Sequence, residues 1–118
     1  QGSNKIIGED GVSDAYVTRI TDAINGVVYK GEISCIEVPV QGDPDINVKV
    51  KSTSEPAGTT GTDHELLNAG TWTLGATGVF TFPSGGITDD YLYLVQGGSV
   101  DNVYTAGKFI IKLYGANF

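Results

Sequence analysis

The chain has no methionine and only one cysteine, one histidine and one tryptophan in 118 residues. A lone Cys35 leaves no partner for an internal disulfide, so the covalent framework of many small secreted domains is excluded, although an extracellular home is not. One His and one Cys far apart in the chain match none of the clustered ligand spacings of a zinc site. Positive charge is scarce as well. Seven Lys and Arg against fourteen Asp and Glu leave a net charge of -7, a mean field that repels phosphate backbones and anionic lipid, so nucleic acid is not an expected partner. The longest apolar run is the five residues Tyr91 to Val95, against the roughly 20 that a membrane helix requires. No basic-then-apolar leader opens the chain, and membrane insertion is not expected.

Glycine, by contrast, is abundant: 17 residues are about twice what average usage of roughly 7% supplies, which implies many turns. The length suits one domain with one core. Gln1-Gly2-Ser3 reads as the remnant of a cleaved expression tag, leaving 4–118 as a single domain.

Period-two alternation dominates. In 46–51, Ile46, Val48 and Val50 share one face while Asn47, Lys49 and Lys51 share the other. Further strands are expected over 15–21, 27–33, 34–40, 91–95 and 108–114, the last pointing Phe109, Ile111 and Leu113 inward and Lys108, Lys112 and Tyr114 outward. Asn25-Gly26 marks a turn, and Pro39 argues for a strand end or a sheet edge. Residues 71–74 and 79–82 flank Gly75-Ala76-Thr77-Gly78, the length of a hairpin loop. Thr62 to Glu65 fits a capping box, so at most one short helix is expected, near residues 62–69. Short strands with turn signals every eight to twelve residues predict an all-β fold, an antiparallel β-sandwich of jelly-roll-like or Ig-like type.

Chemical signals are few. Asp43, Asp45 and Asn47 open with the spacing of a calcium loop, but a helix-loop-helix site needs Gly at its sixth position and a bidentate acid at its twelfth, where Val48 and Ser54 stand. Asp43-Pro44-Asp45 reads instead as a turn feeding a strand, with irregular calcium ligation in the loop as the lesser alternative. Nucleophilic chemistry would have to join Cys35 to His64, yet Cys35 sits in a strand where a small apolar residue is usual. Glu9-Asp10, Asp43/Asp45 and Asp89-Asp90 are acid pairs in turn-like contexts, where solvated carboxylates are the ordinary finding rather than a glycosidase site. Gly85-Gly86 and Gly97-Gly98 precede no helix with a Lys-Ser/Thr pair and so are not phosphate loops. No catalytic residue, cofactor or metal is therefore assigned, and the chain reads as non-enzymatic.

Aromatic residues are the better lead. Trp72 is expected in the core, while Tyr91, Tyr93, Tyr104 and Tyr114 are candidates for a protein interface or for stacking on sugars. Tyr91 and Tyr93 share one strand face opposite Leu92 and Leu94, which makes them the expected interface anchors.

The stretches GTWTLGATGVFTFPSGG and YLYLVQGGSVDNVYTAGKFIIKLYG, about a third of the chain, have a Gly/Thr-rich texture and a terminal apolar strand. In this the chain resembles the small acidic β-sandwich proteins of phage virions, of the capsid-decoration, cement or fibre-domain type. The resemblance implies a virion location and a protein that stabilises an assembly, commonly as a homotrimer, bound to itself, to a capsid or to another surface protein. The short segment Asn4 to Gly8 suits addition of a strand to a neighbour's sheet. The alternative reading is a glycan- or surface-binding module of an extracellular or cell-surface bacterial protein.

Overall fold

Alternating sequences become strands wherever one face finds a core. In the computed structural model, which describes residues 7–8, 17–51, 63–83, 89–97 and 104–117, they form eight strands and one helical turn. In chain order these are β1 (Ile7–Gly8), β2 (Thr18–Thr21), α1 (Asp22–Asn25), β3 (Val27–Val40), β4 (Asp45–Lys51), β5 (Asp63–Thr71), β6 (Thr77–Thr81), β7 (Asp89–Gln96) and β8 (Ala106–Ala116).

Two sheets result. The larger runs β1-β7-β4-β5, with β2 also pairing β7; the smaller runs β6-β3-β8. All pairs are antiparallel except β1 with β7. Since β4 occupies one side of β7, β1 and β2 lie end to end on the other: Ile7 and Gly8 face Leu94 and Val95, and Thr18 to Thr21 face Leu92 to Asp89. The fold is a β-sandwich, as the alternation predicts. Between the sheets Ile20, Ile46, Val48, Val50, Leu92 and Leu94 meet Val28, Ile33, Cys35 and Phe80, with Trp72 and Phe82 completing the core. Each fully buried aliphatic or Phe side chain contributes roughly 1.5–3 kcal/mol of transfer free energy.

Gly31 shows how closely the small sheet packs. A Cβ there would run into the Phe80 ring, so the absent side chain of β3 is the space that Phe80 of β6 fills.

Several expectations are corrected. The capping box does not start a helix: residues 63–71 are strand β5, paired with β4 from Asp63 opposite Lys51 to Thr71 opposite Asp45. Leu66 and Leu67 pack on the core from there, and tertiary burial outweighs a local cap preference. The one helical turn is α1, closed by Gly26 at φ 65° beside the Asn25-Gly26 turn signal. Residues 71–74 and 79–82 are not hairpin partners. β5 belongs to the large sheet and β6 to the small one, and the intervening residues cross between layers, held where Gly75 N–H donates to the Cys35 carbonyl and Cys35 N–H to the Ala76 carbonyl. The strands expected over 27–33 and 34–40 are one 14-residue strand, bent at register shifts rather than broken. Finally, the described end of the Asn4 to Gly8 segment pairs within its own chain as β1, while 4–6 fall outside the described residues.

A candidate interaction surface

The residues with chemical potential are kept apart by the layers. Cys35 is buried on the core face of β3, where burial pushes its thiol pKa up, away from the reactive thiolate. His64 is exposed on β5 in the other sheet, opposite Val50, so the fold does not assemble a Cys35–His64 pair. Asp90 lies inside β7 opposite Ile20 rather than in a turn, and Glu9-Asp10 falls outside the described residues.

The Asp43-Pro44-Asp45 turn forms as its residue types dictate: the Asp43 carboxylate accepts the Asp45 N–H at 3.0 Å, and the Tyr104 hydroxyl donates to the Asp43 carbonyl at 2.6 Å. One strand turn onward, Asn47 Nδ2 donates to Glu65 Oε1 at 3.1 Å across the β4–β5 pair. Gly97 N–H donates to the Asp45 carbonyl, and a Cβ at Gly97 would lie 2.5 Å from Asp45 Oδ1 and 2.6 Å from Asn47 Nδ2. Burial, then the Asp43 and Glu65 carboxylates, raise the Asp45 pKa. Asp45 Oδ1 and Asn47 Oδ1 are buried without a hydrogen-bond partner among the described residues. No group of three His, Cys, Asp or Glu side chains among those residues is disposed to hold a metal ion.

Of the expected aromatics, Trp72 is in the core, its Nε1–H donating to the Ile46 carbonyl and its ring edge-on to Phe109. Tyr91 is half-buried beneath the Arg19 guanidinium, 5.3 Å from the ring centre. Tyr93 has 0% exposure and forms a second apolar cluster with Val95 and Tyr91 on the far face of β7. Both faces of β7 are therefore covered: of the two tyrosines expected as interface anchors, Tyr93 has no exposed surface and Tyr91 is half-buried.

Exposed apolar groups gather instead on the outward face of the small sheet. Cross-strand register sets Thr81, Lys30 and Tyr114 in one row, Val79, Glu32 and Lys112 in the next, then Thr77, Ser34 and Ile110. Val79 is 54% exposed and Ile110 48%. Register shifts after Val28 and after Cys35 add Tyr29, 51% exposed, beside Lys30, and Ile36, 49% exposed, beside Glu37. Polar links tie the rows together. Lys108 pairs with Glu37 at 3.3 Å, the Ser34 and Thr77 hydroxyls are 2.8 Å apart, and Lys30 stands over the Tyr114 ring at 5.2 Å. Partial burial, the Glu32 carboxylate that accepts its hydroxyl, and nearby Tyr29 push the Tyr114 phenol pKa up.

Tyr114 was legible in the sequence as an outward residue. Tyr29 and Ile36 were not, because each sits at a shift in register where simple alternation assigns it no partner. Comparison of the chain with protein-family models, with curated proteins and with solved structures finds no match.

Proposed function

We propose that this chain is a non-enzymatic structural module of a virion, of the capsid-decoration or fibre type, which binds a protein assembly through the outward face of its three-stranded sheet. The observation that carries the reading is that face: Tyr29, Ile36, Val79, Ile110 and Tyr114 stand exposed among alternating Lys and Glu side chains. Apolar anchors within a polar frame are what a protein contact uses. The virion setting rests on the Gly/Thr-rich texture of residues 70–86 and 91–115 and the resemblance drawn from it.

A second reading has one observation in its favour. Tyr29 and Tyr114 lie close together beside the Glu32 carboxylate, a grouping of rings and acceptor that also suits a glycan. Two measurements separate the readings. An antibody to the chain is expected to label intact virus particles from its source, and a glycan array is expected to stay silent. Unlabelled particles together with glycan binding lost in Tyr29→Ala would overturn the virion reading.

A further inference from the structure

Sandwich edges differ in how they are closed. On one side β5 and β6, the terminal strands of the two sheets, approach each other. On the other, β8 ends the small sheet with no further strand beyond it among the described residues. The consequence is visible in burial. Phe109, Ile111 and Leu113 point from β8 into the core, yet all three remain only partly buried, whereas Ile33, Cys35 and Phe80 on β3 and β6 are fully enclosed. An 11-residue strand thus combines a backbone edge that no described residue pairs with an incompletely covered apolar row.

The β8 sequence is complementary to itself. When two copies run antiparallel with Ala106 opposite Ala116, the full length pairs about Ile111. The core-facing row then sets Phe109 opposite Leu113 and Ile111 opposite Ile111, and the outward row sets Ile110 opposite Lys112 and Lys108 opposite Tyr114. No like charges meet. A slip of two residues one way brings Lys108 opposite Lys112, and the other way brings Lys112 opposite Lys112, both destabilising. Aromatic, aliphatic and charged positions therefore select one register, and its symmetry is a twofold.

We infer that β8 is a homodimerisation strand: two copies of this chain pair β8 to β8, antiparallel about Ile111, and join their small sheets into one continuous six-stranded sheet. The inference rests on the reading of the chain as an assembling module and names the edge that assembles. It closes at two copies, where the resemblance to virion proteins implies three. The pairing also places the outward apolar faces of both copies side by side, doubling the surface offered to an assembly.

Sedimentation equilibrium of the purified full chain tests it, with Ile110 as the probe because it is exposed and directly opposite the partner's Lys112. Wild type is expected at twice the monomer mass. I110K sets two like-charge pairs across the twofold and is expected to weaken association by about tenfold or more, while I110E sets two opposite-charge pairs and is expected to tighten it. A mere loss of apolar surface would weaken both alike. I111C, oxidised, is expected to give a covalent dimer, since only residue 111 meets its own copy. A monomeric or trimeric wild type, or equal weakening by I110K and I110E, overturns the pairing. The particle-labelling result is independent of these masses, so a failed dimer leaves the virion reading standing and unlabelled particles leave the dimer standing.

Discussion

The indole Nε1–H of Trp72 donates to the carbonyl of Ile46 at 2.8 Å, deep in the sandwich, while the Trp72 backbone N–H donates to Pro44 at 3.0 Å. One residue at the end of β5 thereby locks the start of β4, and its ring reaches across to Phe109 of β8, 5.4 Å away and nearly perpendicular. Trp72→Phe keeps an aromatic ring but deletes the buried bond, and a loss of at least about 2 kcal/mol is expected in urea unfolding. The same residue reports the transition, because the only tryptophan is buried and its emission should shift red on unfolding.

Gly97 is held in place by what lies over it. Any side chain there enters the space of Asp45 Oδ1 and Asn47 Nδ2, so Gly97→Ala is expected to destabilise by about 1–3 kcal/mol in denaturant titration. Gly75, with no atom within 4 Å of a built Cβ, makes no such clash, although its φ of 81° still favours glycine.

Asp45 sets a pH dependence with an unusual sign. Its pKa is raised in the folded state by burial and by Asp43 and Glu65, so over the window from about pH 4 up to the folded value the native chain binds more protons than the unfolded one. Its contribution to stability is thus greatest at the acidic end and falls as pH rises through that window. Asp45→Asn removes the charge and is expected to raise the unfolding midpoint at pH 7 relative to wild type, with the gap closing below about pH 4. An unchanged gap at pH 3.5 would show that the charge is not the cause.

Cys35 has no exposed surface, and burial holds its thiol protonated. A thiol reagent such as dithionitrobenzoate is expected to react only as fast as the chain opens, and rapidly in denaturant. His64→Ala, on the exposed edge of the other sheet, is expected to change stability by less than about 0.5 kcal/mol.

Gln41, at the exit from β3, holds φ at 71° and is the one non-glycine residue with positive φ among those described. Left-handed backbone costs an L-residue about 1–2 kcal/mol, so Gln41→Gly is expected to stabilise the chain by about 1 kcal/mol, less the added entropy of the unfolded glycine. A thermal melt checks it, with a rise of a few degrees expected for a domain of this size.

Local alternation by itself determined β4 and β8. Ile46, Val48 and Val50 face the core as their spacing requires, and β8 turns Phe109, Ile111 and Leu113 inward and Lys108, Lys112 and Tyr114 outward. Composition determined the absence of a disulfide, and residue type determined the Asp43 turn, because these depend on neighbours only one or two positions away. Only the tertiary structure decided which strands pair. The segment after Thr62 carries a helix cap, yet it is a strand because Leu66 and Leu67 gain more from the core than a short helix gains from its cap. Alternation places Tyr91 and Tyr93 on one face but cannot say whether that face is wet. Tyr93 is buried because its sheet carries a second apolar cluster, while Tyr29 and Ile36 come to the surface through shifts in pairing with β8. Faces are a property of one strand and are written locally; exposure is a property of what packs on that face, which residues distant in the chain supply.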